Sequence, residues 1–538
     1  MLKIKIEESW LWLVMWAICI VAAIYSRPLI PIDETRYLSV AWEMWHNNNF
    51  LVPHINGLPY SHKPPLLFWT IHLFWWVFGV GEWSGRIVAP LFGLVAVFLT
   101  RRLAGLLWPS ENGISRNVPY ILFGMVIWLI YSSLTMFDTL LTCICLFALH
   151  AVFEASQTNR KLPWLWLSVA IGLGILAKGP VVLVYVLPVV LLVPWWNKGE
   201  SVSLLRWYGF ALGALVAGIG IALCWALPAA KAGGVEYGQA ILFGQTAGRV
   251  VNSFAHGRPF YWYLLLLPLF LFPWFFWLPV WQGVKSFRLD RASRFCLSIL
   301  LPAFVLLSCI SGKQIHYILP LLPVAALLIA RLINNTVCHV RFDKMVVLLI
   351  YLVICAVFLI FPFLPMQDGD REVLKTIPIW IGIVPLLSGL FLLPFRPCSV
   401  STSLRRMFVS VLLLATFFHF GMSRPLHAIY GQDVISMSMG QVQESGGDVA
   451  ILPGELMDQF QFSGLLTKTL FTFDNWDKLA VWTMTNPDQY CLVFTRSKAY
   501  GHLIGSGLAK RYDDGWLIFR PAKGFLKSYQ AWVANKTD

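Results

Sequence analysis

One short polar stretch near the start of the chain carries residues of the kinds that catalysis uses. It reads Pro-Ile-Asp-Glu-Thr-Arg-Tyr over residues 31–37, and the proline and both acidic residues favour the first turn of a helix. Helical spacing then places Asp33, Arg36 and Tyr37 on one face. A carboxylate can take a proton or orient a substrate, and a guanidinium can hold a phosphate. Asp33, Arg36 and Tyr37 therefore form one polar helix face, with Glu34 beside it in the first turn.

Further ionisable residues recur where apolar segments begin or end. They are Tyr60, His62 and Lys63 before the apolar run 66–80, Asp138, Lys178, the pair His256 and Arg258, and finally Lys313 with Tyr317. A single lysine beside an apolar segment is most often a solvated loop residue, but three such lysines require a common reason. Two unit charges about 4 Å apart attract by roughly 4 kcal/mol at an effective dielectric of 20. The pattern predicts a cationic pocket at the lipid headgroup level that holds a departing phosphate.

The composition shows what must position these residues. Hydrophobic residues make up 58% of the 538 positions, charged residues only 13%, and the mean hydropathy is +0.68. A soluble fold needs about a quarter of its residues charged, so most of this chain is expected in lipid. The net charge of +14 then reflects basic cytoplasmic loops, and no nucleic-acid partner is predicted. The ten cysteines show no metal-ligand spacing and no disulfide framework.

The sequence predicts an α-helical polytopic membrane protein with about thirteen spans. These are roughly 10–26, 84–100, 119–134, 139–155, 163–177, 180–195, 207–229, 261–283, 295–311, 318–334, 345–365, 376–394 and 407–421. The apolar run 66–80 is predicted to lie in the membrane plane on the external side, because its tryptophans suit the headgroup level. With the amino terminus inside, nineteen Lys and Arg fall in cytoplasmic segments against eleven in external ones. The positive-inside rule favours this orientation.

Two domains follow from the same analysis. Residues 1–421 form a membrane domain whose first external loop is 27–83, and residues 422–538 form a small external α/β domain. Short β-like runs at 448–452, 489–495 and 516–520 predict strands in this second domain. The chain has no glycine-rich nucleotide-binding motif, so no nucleotide cofactor is predicted.

The loop motifs resemble a known family. The matching segments are Asp33-Glu34-Thr35-Arg36-Tyr37, Val52-Pro53-His54 and Lys63-Pro64, followed by Asp138, Lys178-Gly179, Arg258-Pro259-Phe260 and Gly312-Lys313. They look like the lipid A aminoarabinose transferases, which belong with the protein O-mannosyltransferases among the GT-C glycosyltransferases. The resemblance covers the membrane part of the chain. It implies a GT-C fold and a bacterial inner-membrane protein whose active site faces the periplasm.

The resemblance also implies a reaction and roles for the residues. A sugar would pass from undecaprenyl phosphate to lipid A phosphate or another envelope acceptor, with inversion at the anomeric carbon. The carrier phosphate would be held by Arg36, Lys63, Lys178, Lys313 and Tyr317. Asp33, Glu34 and Asp138 would be catalytic, and Tyr37, Tyr60 and Arg258 would bind the substrates.

Some alternatives stay open at this level. In the family, a glutamate precedes the loop lysine and pairs with the residue matching His256 on a divalent metal, but this chain has His62 there. His62 and His256 could still hold Zn, Mg or Mn, since imidazole ligates zinc well. The sugar could be aminoarabinose or a related amino sugar, and the acceptor lipid A, another envelope glycan or a protein. A transporter of lipid-linked sugars is the alternative from another class, but it would place charged residues near mid-span.

Overall fold

The computed structural model describes residues 2–198, 203–244, 257–334, 336, 343–360, 376–378, 380–393, 399–496 and 507–537. Its helices in these ranges are α1 Leu2–Ser26, α2 Asp33–His46, α3 Leu66–Phe78, α4 Glu82–Arg86, α5 Val88–Leu107, α6 Asn112–Phe123, α7 Val126–Ser132, α8 Phe137–Gln157, α9 Leu162–Lys178, α10 Val182–Leu191, α11 Val193–Trp196, α12 Leu204–Gly233, α13 Val235–Gln239, α14 Trp262–Leu265, α15 Leu267–Phe270, α16 Leu278–Lys285, α17 Arg291–Cys309, α18 Leu322–Asn334, α19 Met345–Ile360, α20 Trp380–Leu390, α21 Val400–Ile429, α22 Gln432–Glu444, α23 Trp476–Thr485 and α24 Ala522–Thr537. The strands are β1 His54–Ile55, β2 Leu58–Pro59, β3 Val449–Leu452, β4 Phe471–Thr472, β5 Tyr490–Thr495, β6 Leu508–Tyr512 and β7 Gly515–Pro521.

The membrane domain is a bundle of apolar helices. Within the described residues, seven helical segments are long and apolar enough to cross a membrane, or eight if the bent pair of α6 and α7 counts as one span. Shorter apolar helices are Trp10–Ser26, Leu66–Phe78, Met345–Ile360 and Trp380–Leu390. The chain is therefore a multi-pass membrane protein, as predicted. The number thirteen stays a prediction.

Two predicted spans differ from the continuous helices that the sequence analysis expected. The segment 261–283 is broken into α14, α15, a 3-10 turn at Trp274–Phe276 and the start of α16. Prolines at 268, 273 and 279 account for the breaks, because each removes a backbone donor and restricts the preceding residue. The segment 119–134 is bent by 66° where α6 meets α7.

A tight turn separates α9 from α10. Gly179 adopts φ +76°, a conformation that glycine tolerates and other residues rarely adopt. The start of α10 packs closely on the end of α9, so that a Cβ added to Gly174 would lie 2.4 Å from the Cγ2 of Val182. Among the described residues, Leu162–Leu191 counts as one apolar helical segment, so two separate spans at 163–177 and 180–195 stay a prediction; Lys178 lies at the end of α9, next to the turn.

Helix α3 covers α2 on one side and leaves an apolar face on the other. His72 bonds the carbonyl of Ala41 at 2.8 Å, and the ring of Trp75 stacks on Phe462 with centroids 5.5 Å apart. On the opposite face Trp76 is 76% exposed, together with Leu73, Val77 and Phe78. This amphipathic arrangement agrees with a helix lying in the membrane surface, and that placement stays a prediction.

The carboxy-terminal domain is a five-stranded sheet with helices on both faces. The strand order is β4-β3-β5-β7-β6; β3 runs parallel to β4 and β5, whereas β7 is antiparallel to β5 and β6. Alternate residues of β3 point to opposite cores, so that Val449 and Ile451 pack with α22 while Ala450 packs with α23 and α24. The three predicted strands are confirmed. The predicted boundary at 421/422, however, falls inside α21, which continues to Ile429.

Candidate active site at the first polar loop

Asp33 and Tyr37 meet on the first turns of α2. The Tyr37 hydroxyl donates a hydrogen bond of 2.8 Å to Oδ1 of Asp33, which is the contact that their i, i+4 spacing allows. Tyr37 is buried, and this burial together with the negative charge of Asp33 raises the pKa of its hydroxyl well above the ordinary value. Tyr60 and Asp138 add smaller contributions in the same direction. Tyr37 therefore stays protonated and holds the Asp33 carboxylate in one orientation.

Lys63 connects the first loop to the start of α8. Its ammonium lies 6.0 Å from the ring centroid of Tyr37 and 5.9 Å from that of Phe137. The two rings meet edge to face, with centroids 4.9 Å apart. Aromatic faces attract cations, so these rings fix the ammonium without neutralising its charge. Phe137 was not among the sequence candidates, although its position directly before Asp138 is a signal that could have identified it.

Asp138, Lys178 and Tyr317 form the second half of the site. The Lys178 ammonium lies 2.5 Å from Oδ1 of the buried Asp138 and 4.9 Å from the ring centroid of Tyr317. The hydroxyl of Tyr185 donates to the carbonyl oxygen of Tyr317 at 2.7 Å and fixes the backbone there. The segment Ile315–Leu321 is a 3-10 helix that packs against α8. His316, which the sequence analysis did not select, is buried there with its ring centroid 5.8 Å from that of Tyr131.

The structure thus gathers six of the predicted residues from four separate parts of the chain. These are Asp33, Tyr37 and Lys63 from the first loop, Asp138 from the start of α8, Lys178 from the turn after α9, and Tyr317 from the 3-10 helix. The two ammonium groups are accompanied by two carboxylates. The site thus combines the predicted basic residues with the predicted carboxylates, and the roles assigned to them stay predictions.

Arg36 and Tyr60 lie at the border of this cluster. The Nε of Arg36 donates to Oδ2 of Asp458 in the carboxy-terminal domain. Burial alone would lower the pKa of this guanidinium. The Asp458 carboxylate outweighs burial, with smaller contributions from Tyr60 and Tyr37 in the same direction, so the pKa of Arg36 is raised. The ring of Tyr60 lies beside His62, with centroids 5.2 Å apart. Both predicted residues are therefore next to Tyr37.

Glu34 has a different environment from the catalytic one expected of it. It is 1% exposed, and its carboxylate accepts hydrogen bonds from both terminal nitrogens of Arg27 and from the backbone N–H groups of Ile30 and Thr135. Burial alone would raise its pKa, but Arg27 and Arg86 outweigh burial and lower the pKa to about 2. These partners occupy its lone pairs. These contacts anchor the loop through Glu34, and its predicted catalytic role stays a prediction.

Lys313 and Arg258 form a separate contact region. The buried Lys313 ammonium donates to the carbonyl oxygens of Arg258 at 2.9 Å and Ile310 at 2.5 Å. The guanidinium of Arg258 lies 5.9 Å from the ring centroid of Trp262, and its backbone N–H donates to the carbonyl of Ser311. Lys313 therefore ties two loop segments together, and its role as a phosphate ligand stays a prediction. Arg258 contributes backbone to this tie, and its substrate-binding role stays a prediction.

The predicted metal site is only partly within the described residues. His62 is described and lies beside Tyr60, whereas His256 lies outside the described residues. In the part of the chain that the structure describes, no three or more His, Cys, Asp or Glu side chains are grouped as metal ligands. Two histidines supply half of a tetrahedral zinc site. The described residues thus do not complete a metal centre, and the metal stays a prediction.

The chain is similar in sequence to known glycosyltransferases. The family model for dolichyl-phosphate-mannose-protein mannosyltransferases matches residues 62–225. An undecaprenyl phosphate-alpha-4-amino-4-deoxy-L-arabinose arabinosyl transferase from Pseudomonas savastanoi is 33% identical over 314 residues, which cover 56% of this chain and 57% of that protein. The enzyme of the same name from Pseudomonas aeruginosa PAO1 is 32% identical over 309 residues, covering 55% and 54%. The chain thus spans a little over half the length of these relatives.

Two solved structures extend the likeness over nearly the whole chain. ArnT from Cupriavidus metallidurans in the apo state matches with a TM-score of 0.74 and 16% identity, covering 96% of this chain and 98% of that one. The same protein bound to undecaprenyl phosphate matches with a TM-score of 0.71 and 16% identity, covering 94% and 97%. At this identity the match shows the fold, which is the GT-C fold predicted from the sequence. The resemblance seen in the first-loop motif is confirmed.

Proposed function

We propose that this chain, which is ArnT-like in sequence and has the GT-C fold, transfers a sugar from undecaprenyl phosphate to an acceptor in the bacterial envelope. The named relatives are arabinosyl transferases, and the Cupriavidus protein was solved with undecaprenyl phosphate bound. We propose aminoarabinose or a related amino sugar as the group transferred, and lipid A phosphate as the acceptor. Another envelope glycan is the second acceptor, and the transferase reaction is the same for both.

One observation carries this proposal. Lys63, Lys178 and Tyr317 come together beside Asp33 and Asp138, although they lie far apart in the sequence. An ammonium has three N–H donors, and the ion pair with Asp138 uses one of those of Lys178. The remaining donors suit the oxygens of a phosphate. A site of this kind stabilises the charge that develops on a leaving phosphate.

The reaction would be a direct displacement at the anomeric carbon. An oxygen of the acceptor forms a bond to this carbon while its bond to the carrier phosphate oxygen breaks, and the electron pair leaves with the phosphate. Undecaprenyl phosphate departs with one more negative charge, which Lys63 and Lys178 would stabilise. Attack from the face opposite to the leaving group inverts the configuration.

The part of Asp33 depends on the acceptor. A phosphate acceptor is already ionised at neutral pH, so Asp33 would orient it without taking a proton. A hydroxyl acceptor would give its proton to the Asp33 carboxylate, which the Tyr37 hydroxyl holds in place at 2.8 Å. Asp138 would set the position of Lys178. No step is assigned to a metal.

We also propose that the site faces the periplasm from the inner membrane. The unequal division of basic residues between the two predicted sides, nineteen against eleven, supports an orientation in which the first polar loop is external. Undecaprenyl phosphate is a membrane lipid, so its chain would lie among the apolar helices with the phosphate at their external ends. The carboxy-terminal domain, which contacts α2, would then also be periplasmic.

The proposal is tested with purified protein in proteoliposomes. Undecaprenyl phosphate-linked aminoarabinose and lipid A are added, and mass spectrometry follows a pentosamine on a lipid A phosphate. Lys178→Ala is expected to abolish this product, whereas the matched control Lys478→Ala, at an exposed lysine of α23, is expected to retain it. Lipid A that is unchanged with wild-type protein would contradict lipid A as acceptor. Failure with every envelope acceptor would contradict transfer itself.

A further inference from the structure

The carboxy-terminal domain holds the face of α2 that carries the candidate catalytic residues. Its 3-10 turn Gly454–Gln459 packs against α2, and Asp458 and Gln459 of this turn are both buried there. Oδ2 of Asp458 accepts from the Nε of Arg36, and Oδ1 accepts from the side-chain amide of Gln459. The Thr35 hydroxyl in turn donates to Oε1 of Gln459. These contacts flank Asp33 and Tyr37 on the same helix.

Further hydrogen bonds and ring stacking between the carboxy-terminal domain and the first loop restrain the contact between Asp458 and Arg36. The indole N–H of Trp42 donates to the carbonyl of Leu466 at 2.9 Å. The Asn56 side chain both donates to the carbonyl of Leu470 at 3.0 Å and accepts from its N–H at 2.6 Å. Stacking of Trp75 on Phe462 closes the other side. The turn that carries Asp458 is therefore held firmly against the first loop.

Asp458 binds Arg36 through a nitrogen that leaves the two terminal nitrogens of the guanidinium for a phosphate. The Asp458 bond uses Nε, and a guanidinium presents two further nitrogens in a planar fork that matches phosphate oxygens. Gln459 fixes the carboxylate from its other oxygen, so the plane of the guanidinium is fixed as well. Tyr37 and Tyr60 both contribute to the raised pKa of Arg36, which places its guanidinium beside the cluster.

We propose that Asp458 is a positioning residue for transfer: it orients Arg36 from the carboxy-terminal domain so that the terminal nitrogens meet the carrier phosphate. The domain thereby has a part in donor binding, beyond any part in stability. This inference rests on the proposed function, because it assumes that a phosphate-linked donor binds at this site.

The test compares kinetics of the full-length protein in proteoliposomes. Asp458→Asn keeps the shape of the side chain and removes its charge, and we expect KM for undecaprenyl phosphate-linked aminoarabinose to rise about tenfold with kcat little changed. Trp42→Phe is the matched control, since it removes a different bond of the same interface. It is expected to lower the melting temperature without raising KM. Equal KM shifts in both variants would overturn the proposal.

A double-mutant cycle separates positioning from packing. If Asp458 acts through Arg36, adding Asp458→Asn to Arg36→Gln should leave KM at the value of Arg36→Gln alone. A further tenfold rise would overturn the proposal. Should Asp458→Asn not accumulate in the membrane, Gln459→Leu removes the amide that fixes the carboxylate, and KM is expected to rise about threefold. An unchanged KM in that variant would also overturn it.

A binding measurement distinguishes this failure from failure of the proposed function. Undecaprenyl phosphate alone is titrated while the melting temperature of the protein is followed. Wild-type protein is expected to be stabilised, and Asp458→Asn to require about tenfold more lipid for the same shift. Stabilisation of the wild type without any sugar transfer would contradict the proposed function, whereas a tenfold larger lipid requirement of Asp458→Asn would still support positioning of Arg36 toward the carrier phosphate. Equal lipid requirements in an active protein would refute the inference alone.

Discussion

The ion pair between Asp138 and Lys178 offers the sharpest test of the site. In Asp138→Asn the side chain keeps its size but loses the charge that faces the Lys178 ammonium at 2.5 Å. Both side chains are largely buried, with relative exposures of 3% and 10%. The substitution therefore leaves an ammonium that the protein no longer compensates.

The magnitude follows from the burial of the pair. Removing one member of a buried ion pair typically costs about 3–5 kcal/mol, and the partial exposure of Lys178 places this pair near the lower end, at about 3 kcal/mol. The ammonium also loses its orientation over Tyr317, where we propose that the carrier phosphate binds. Loss of one positioned donor to the charge that develops in a transition state typically costs about 10²–10³ in rate, so we expect a roughly hundredfold fall in kcat/KM.

The assay measures melting temperature and sugar transfer on the same protein samples. The double variant Asp138→Asn with Lys178→Met should recover part of the stability, because no buried charge is left unpaired, but it should not recover transfer. Glu111→Gln is the matched control. Glu111 accepts two bonds of 2.7 Å from Arg331 and one from Asn334, so its loss should lower stability while KM and kcat stay near wild type.

Two results would refute the reasoning. Transfer at the wild-type rate in Asp138→Asn would show that the orientation of Lys178 is not needed. A double variant no more stable than Asp138→Asn alone would show that the unpaired ammonium is not the source of the instability.

Three further predictions concern individual side chains. Lys63→Ala should raise KM for the lipid-linked donor about tenfold or more, since it removes a charge from the phosphate site, and steady-state kinetics matching wild type would contradict this. Glu34→Gln should cost roughly 3 kcal/mol of stability yet leave kcat of the folded protein near wild type. Because the pKa of Glu34 is about 2, this stability is present above pH about 4.5 and is lost as pH falls toward 2, which thermal melts at several pH values would measure. A selective loss of kcat would indicate a catalytic role. Burial, followed by the charge of Glu82, raises the pKa of Asp433 to about 6, so the folded state gains stability as pH falls from about 6 to 4. Asp433→Asn should therefore raise the melting temperature at pH 8 and not at pH 4, by a difference worth about 2 kcal/mol. Equal shifts at both pH values would contradict the raised pKa of Asp433.

Local spacing predicted the contacts that local structure makes. Asp33 and Tyr37 are one helical turn apart, and their hydrogen bond follows from that spacing. The three strands of the carboxy-terminal domain were likewise visible as short apolar runs between turns. The prolines of the segment 261–283 were a local signal for its interruptions. Hydropathy alone does not detect this signal, and it therefore predicted one continuous helix there.

Contacts between distant parts of the chain had no such signal. Arg36 and Asp458 are 422 positions apart, and neither has a neighbour that indicates the other. Glu34 sits in the same motif as Asp33, but the next position on a helix points elsewhere, and there Arg27 and the Thr135 backbone surround it. Lys313 likewise resembled Lys63 and Lys178 in the sequence, beside an apolar segment, while its ammonium bonds backbone carbonyls. Residue type therefore indicated which roles were chemically possible, and tertiary contacts determined which of these side chains lie together.

The interface between the carboxy-terminal domain and α2 has a consequence for protein engineering. Because Thr35, Arg36, Ser39 and Trp42 all bond to residues 458–466, the two regions form one interface built from two distant parts of the sequence. A chimera that exchanges only the last hundred or so residues with a relative would separate these partners. Grafting would have to move the first loop and the terminal domain together, and selection in nature is expected to have varied them as a matched set.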